Sequence, residues 1–145
     1  MKKILAIVLS FVVFSSTFAN SPIVNEKVLR SFDQTFTNVE SVKWEEFKDH
    51  YTVSFMHAGI QSVVNYDKDG QMLSSIRYYL PKMLPLYIFN KLKKEYTNDT
   101  LFGVTEVIYG EDVLYFVKIE SAKNWITVKI DPSGNSEIYK KYRKG

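Results

Sequence analysis

Residues 51–78, YTVSFMHAGIQSVVNYDKDGQMLSSIRY, and residues 115–142, YFVKIESAKNWITVKIDPSGNSEIYKKY, carry one pattern written twice at an offset of 64. Gapless pairing matches Tyr51 with Tyr115, Val53 with Val117, Ala58 with Ala122, Val64 with Val128, Asp67 with Asp131, Gly70 with Gly134 and Tyr78 with Tyr142. That is seven identities in 28 positions, where ordinary composition gives roughly two. Residue type is kept elsewhere, as where Phe55 falls opposite Ile119 and Tyr66 opposite Ile130. A repeat of this length is a whole supersecondary unit and governs every later assignment.

Within the repeat the hydrophobic period is two. Tyr51, Val53 and Phe55 alternate with Thr52, Ser54 and Met56, and Tyr115, Val117 and Ile119 alternate with Phe116, Lys118 and Glu120, the signature of half-buried strands. His57-Ala58-Gly59 ends the first strand, and the next runs from Ile60 to Tyr66, matched by Trp125 to Ile130. Asp67-Lys68-Asp69-Gly70 and Asp131-Pro132-Ser133-Gly134 read as turns, each with an Asp to accept a local backbone N–H and a Gly free to take positive φ. Last strands follow from Gln71 to about Tyr79 and from Asn135 to Tyr142.

Working outward, a leading strand holds Val42 and Trp44 in the first unit, and Val107 and Tyr109 in the second. Matching Trp44 to Tyr109 makes the second unit's first hairpin one residue shorter. Before each leading strand the period becomes helical. Val28, Leu29, Phe32 and Phe36 form one stripe, with Ser21 as N-cap and Pro22 at the first helical position. Pro85 opens the second helix ahead of Ile88, Phe89, Leu92 and Tyr96. The expected fold is α+β, a tandem repeat of a helix followed by a four-stranded antiparallel sheet. The two sheets either join as one eight-stranded surface or stand as two lobes, linked by the apolar segment Leu80-Pro81-Lys82-Met83-Leu84.

The N-terminus reads as an address. Lys2 and Lys3 precede the apolar run Ile4 to Phe14, and Thr17-Phe18-Ala19 offers small residues for cleavage. A run of about eleven residues is short of the roughly 20 a membrane-spanning helix needs. The expected organisation is a signal peptide over 1–19 and a single domain over 20–145, made of repeats at about 21–80 and 81–143. No integral membrane segment is expected after cleavage, and the expected location is the periplasm or outside the cell. Loss of residues 1–19 removes two lysines and no acids, taking the formal charge from +3 to about +1 and leaving 126 residues, enough to bury one good core. The chain has no cysteine, which excludes disulfides, thiol nucleophiles and Cys-based metal sites. Lys140, Lys141, Arg143 and Lys144 crowd the last residues, but no broad basic stripe points to nucleic acid.

Catalytic chemistry finds few candidates. His50 and His57 are the only histidines. Both are expected off the apolar face at opposite ends of one strand, about 20 Å apart, too far to share a metal or form a dyad. Asp67, Asp69 and Gly70 resemble the start of a calcium loop, but its twelfth position is Tyr78 where a bidentate Glu is required. Glu45-Glu46 and Glu111-Asp112 are adjacent pairs, and neighbours on a strand point to opposite faces. No Gly-rich phosphate loop, Gly-x-Ser-x-Gly or His-Glu-x-x-His motif occurs. A non-catalytic protein with no cofactor and no metal is therefore expected. If Tyr51, Val53, Phe55, Val64, Tyr66, Val117, Ile119, Val128 and Ile130 face the helices, then Met56, Val63, Phe116, Lys118, Trp125, Thr127 and Lys129 face away. Aromatic anchors among polar neighbours suit an interface, so Met56, Phe116, Lys118, Trp125, Thr127 and Lys129 are the candidate partner-binding residues. The expected partner is a protein of the cell envelope that the chain binds or inhibits. The alternatives are a small amphiphile or polymer fragment on the same face, and last a hydrolase.

The order Phe32-x-x-x-Phe36, Val42-x-Trp44, Tyr51-x-Val53-x-Phe55, Tyr66-Asp67-x-x-Gly70 and Leu84-Pro85 resembles the PepSY-like or β-lactamase-inhibitor-like family of small exported bacterial proteins. The resemblance spans essentially the whole chain after residue 19. It implies a tandem α+β fold similar to β-lactamase inhibitory protein, whose helix-backed units present a sheet and loops to the enzyme they block. Thr37 stands where the family usually has Pro, and the stretch Asn98 to Phe102 is extra, placed before the second unit's first strand. No loop reproduces an inhibitory hairpin, so the resemblance implies a binding scaffold without implying β-lactamase as its target.

Overall fold

The computed structural model describes residues 22–145, so the expected signal peptide and the Ser21 cap lie outside the described residues. Helix α1 spans Glu26–Thr35. Its cap is Asn25, whose side chain accepts the Lys27 N–H at 2.8 Å, so Pro22 precedes the helix instead of opening it. An Asn oxygen satisfies a first-turn N–H that has no partner inside the helix. Val28 and Phe32, four apart, are buried. Leu29, expected in the stripe, lies on its exposed flank. Helix α2 spans Leu86–Glu95 directly after Pro85, buries Ile88 and Leu92, and carries Lys93 and Lys94 in its last turn, where positive charge suits the helix C-terminus.

The strands are β1 Val39–Glu46, β2 His50–His57, β3 Ile60–Asp67 and β4 Met72–Tyr79, then β5 Thr100–Tyr109, β6 Asp112–Glu120, β7 Asn124–Ile130 and β8 Ser136–Arg143. They form one eight-stranded antiparallel sheet in chain order, so the two-lobed alternative falls. The linker folds as a 3₁₀ turn at Pro81–Met83. In the β3–β4 turn the Asp67 carboxylate accepts the N–H groups of Asp69 and Gln71 at 2.9 and 2.8 Å. Gly70 closes that turn at φ 86°, and a Cβ there would lie 2.8 Å from the Lys27 carbonyl oxygen. Only glycine allows both the backbone angle and the approach of the turn to α1.

Both helices pack on one face. Val28 and Phe32 of α1 cover Tyr51, Val53, Phe55, Val64 and Tyr66, with Trp44 partly buried beside them. Phe32 meets Phe55 and Trp44 edge-to-face at 5.0 and 5.3 Å, the arrangement aromatic quadrupoles favour. On the other side, Ile88 and Leu92 of α2 cover Val104, Tyr115, Val117, Ile119, Ile126, Val128 and Ile130. Each such aliphatic side chain contributes about 1.5–3 kcal/mol on burial. Between the two apolar clusters, β4 and β5 carry a polar seam. Glu106 is only 7% exposed, and it accepts from Arg77 at 3.0 Å and from the Tyr79 hydroxyl at 2.7 Å.

Three register expectations are corrected. Trp44 pairs with Val53, and the residue holding that place opposite Val117 is Val104, not Tyr109. The β5–β6 hairpin is therefore four residues longer than β1–β2, because its ladder runs on to Tyr109 opposite Asp112. Strand β5 begins at Thr100, so most of the stretch Asn98 to Phe102 belongs to the strand instead of preceding it. His57 keeps the phase of Tyr51, Val53 and Phe55, and its ring meets Phe36 of the helix layer at 6.1 Å. It lies on the apolar face, whereas His50 stacks on Phe47 at 4.5 Å and hydrogen-bonds Asp49 at 2.7 Å.

Candidate functional site

The face opposite the helices divides into two unlike halves. Over β2–β4, Thr52 donates to Asn65 at 2.6 Å and Asn65 donates to Ser74 at 2.8 Å, a polar ladder that satisfies itself beside the aliphatic pair Val63–Ile76. Over β5–β8 the face is aromatic and basic. Phe116 pairs with Lys129, Lys118 with Thr127 and Glu120 with Trp125, and residues directly opposite in a ladder share a face. All of them are out of phase with the buried Val117, Ile119, Ile126 and Val128.

Two register breaks enrich this half. Leu101 pairs with Ile119 and Gly103 with Lys118, leaving Phe102 as an extra residue that bulges the strand. Its ring meets Trp125 edge-on at 5.2 Å and it is 55% exposed. A break in β8 likewise frees Tyr139, whose ring meets Phe116 at 5.1 Å. The Lys118 ammonium lies 4.6 Å from the Trp125 centroid and 5.7 Å from that of Phe102. Lys144 approaches Trp125 at 5.2 Å while bound to Glu120 at 2.7 Å, and Lys129 is bound to Glu137 at 3.0 Å. Beside Gly103 an open groove of about 320 Å³ is lined by Tyr78, Phe102, Thr105, Phe116, Lys118 and Thr127.

Phe116, Lys118, Trp125, Thr127 and Lys129 are thus brought together. Met56 is not: it sits on β2, four strand spacings or about 19 Å from β6, in a separate groove with Asn38, Glu40 and Gly59. Alternation assigns a face and says nothing about which strands are neighbours. Phe102, Gly103 and Tyr139 were missed because an extra residue reverses the alternation that sequence reading relies on.

Elsewhere the carboxylates are engaged by local partners. The hydrogen bond from Lys68 holds the Glu46 carboxyl below its usual range, and that from Lys27 does the same for Asp69. Asp131 is held low by Asn135. Among the described residues no three His, Cys, Asp or Glu side chains cluster as a metal site would require. No described helix is long and apolar enough to cross a membrane.

This architecture, an antiparallel sheet of eight strands backed on one face by two helices, is the BLIP-like fold. A BLIP-like protein from Bacteroides fragilis superposes with a TM-score of 0.62 at 16% identity, over 83% of this chain and 88% of its own. A candidate periplasmic protein from Bacteroides eggerthii gives 0.62 at 15% identity, over 84% and 90%. A DUF2874 family protein from Bacteroides uniformis gives 0.60 at 18%, over 81% and 88%. No family profile and no curated protein sequence matches the chain.

Proposed function

We propose that this chain is an exported, non-catalytic binding module that engages a protein of the cell envelope through the β5–β8 half of its open sheet face. The observation that carries the reading is the Phe102–Trp125–Lys118 group, with Phe116 and Tyr139 beside it. These rings stand in the phase that neither α1 nor α2 covers, and aromatic residues rimmed by polar groups are the usual anchors of protein interfaces. The BLIP-like fold and the candidate periplasmic relative support a binding role outside the cytoplasm. The opening Lys2-Lys3, the apolar run and Thr17-Phe18-Ala19 support export with removal of residues 1–19. The groove beside Gly103 is open to solvent, which favours a protein over a small amphiphile.

The helix-and-four-strand unit is, in the same reading, a duplicated module of the PepSY-like or β-lactamase-inhibitor-like kind. Tyr51 pairs with Tyr66 as Tyr115 pairs with Ile130, and Val53 pairs with Val64 as Val117 pairs with Val128. Those registers coincide at the offset of 64 read from the sequence.

The test is quantitative affinity capture from envelope extract with wild-type protein and with Trp125→Ala and Phe116→Ala as bait. Both variants are expected to keep the fold and lose the specific partner, since an interface anchor is worth about 2 kcal/mol or more. Trp44→Ala is the contrasting control, expected to cost about 3 kcal/mol of stability because that ring packs on Phe32. An unchanged capture profile, or unfolding of Trp125→Ala as severe as that of Trp44→Ala, would sink the reading. Mass spectrometry of the exported protein, expected to begin near Asn20, tests the address.

A further inference from the structure

The charges of the aromatic half do not balance. Lys129 and Lys144 have carboxylate partners in Glu137 and Glu120. Lys118 and Lys140 have none among the described residues: the Lys118 ammonium rests on the rings of Trp125 and Phe102, and that of Lys140, opposite Thr127 at the far edge, on Tyr139. An exposed cation is held more weakly by a ring than by a charge-assisted hydrogen bond to a carboxylate. Opposite Lys118 in the ladder stands Gly103, where an added Cβ would meet nothing within 4 Å. The flank of the ammonium is therefore open onto the apolar walls of the groove, formed by Tyr78, Phe102 and Phe116.

Phe102 also borders a second groove of about 360 Å³ around the linker, lined by Leu80, Pro81, Phe89 and Leu101 with Lys82 and Lys93, and with Asp99 as the one carboxylate in its lining. Two apolar troughs meet at one ring, the first flanked by Lys118 and the second by Lys82 and Lys93.

We propose that the partner presents an extended acidic segment in which an Asp or Glu carboxylate docks on Lys118 while a neighbouring apolar side chain fills the space left by Gly103. This rests on the open-face reading and specifies the chemistry it selects. A segment of chain fits better than a single amphiphile because both troughs ask for the same pair of groups, an anion beside an apolar one.

The experiment pans a phage library of random dodecamer peptides against the purified protein. Peptides carrying Asp or Glu within two residues of Leu, Phe or Trp are expected to enrich. Gly103→Leu, whose Cβ meets nothing within 4 Å, is expected to fill the gap and lower their binding at least tenfold while thermal denaturation stays unchanged. Lys118→Gln is expected to abolish the acid preference, and Lys118→Glu to replace it with a preference for Lys or Arg. Enrichment without acids, or insensitive to both Lys118 variants, overturns the proposal yet leaves the open-face reading standing if Trp125→Ala still abolishes binding. Enrichment that Trp125→Ala leaves intact overturns both. Absence of any enriched peptide, or saturable binding of decanoate that Gly103→Leu removes in its place, also overturns the proposal.

Discussion

Tyr66 sits in the first apolar cluster, 1% exposed, and its hydroxyl has no hydrogen-bond partner. Its counterpart at the 64-residue offset, Ile130, fills the equivalent place without a polar atom. A buried hydroxyl left unpaired costs about 1–3 kcal/mol, so Tyr66→Phe is expected to raise stability by about 1 kcal/mol in urea denaturation. A loss of that size would show that the hydroxyl is bonded after all. Burial also pushes the Tyr66 pKa up to about 12, because the phenolate loses hydration that nothing replaces. The unfolded chain ionises near pH 10, so the folded state holds this proton more tightly. The stability that follows is complete below about pH 10 and drains away as pH rises toward 12. Tyr66→Phe is expected to lose less stability than wild type across that window. Burial also raises the pKa of Tyr79, Tyr96 and Tyr115, so the variant removes only one share of the alkaline slope.

Among the elements, the β2–β3 turn takes a backbone that its sequence does not favour. Ala58 and Gly59 take φ 49° and 76°, a pair of left-handed residues that suits the twist of a hairpin but favours Asn-Gly. Ala58→Asn is expected to gain about 0.5–1 kcal/mol by relieving Ala in a conformation its Cβ disfavours. Ala122, its match in the repeat, has no positive φ. There the Ser121 hydroxyl accepts the Asn124 N–H at 3.0 Å, so Ala122→Asn is expected to leave stability unchanged in parallel melts. The identity at these positions was legible and the turn geometry was not, because one residue type serves two backbone solutions. The same distinction runs through the sheet. The alternations Tyr51-Val53-Phe55 and Tyr115-Val117-Ile119 and the spacing of Val28 from Phe32 gave the buried faces correctly, since they follow directly from period. The Phe102 and Tyr139 bulges and the longer β5–β6 hairpin were invisible, since each inserts residues that the period cannot register. Five of the six candidate binding residues fell in one cluster for the first reason. Met56 fell elsewhere because alternation does not report strand order.

At the level of the whole molecule, two apolar clusters share one sheet and meet at the Arg77–Glu106–Tyr79 seam. Glu106→Ala leaves a half-exposed guanidinium and a partly buried hydroxyl without their acceptor, and an unsatisfied polar group costs about 1–3 kcal/mol. Because the seam lies between the clusters, the loss should also loosen their coupling. Each half carries one tryptophan, so Trp125→Phe reports the first half by fluorescence and Trp44→Phe the second. In both backgrounds urea unfolding is expected to share one midpoint, and Glu106→Ala is expected to separate the two. Midpoints that remain together would mean that the backbone ladder between β4 and β5 couples the halves alone.

The strand order equals the chain order from β1 to β8, and this governs how the molecule can be assembled from a nascent chain delivered N-terminus first. Every strand pairs with the one made just before it, so the loop-closure cost of each addition stays small except at β5, which follows β4 only after the linker turn and α2. Vectorial delivery through a narrow channel is then no obstacle: α1 and β1–β3 can complete their cluster while α2 has yet to emerge. Glu106 arrives four strands later than β1 and supplies the acceptor that Arg77 lacks until that moment. The polar seam is therefore closed only when β5 pairs with β4 and joins the first half-sheet to the second.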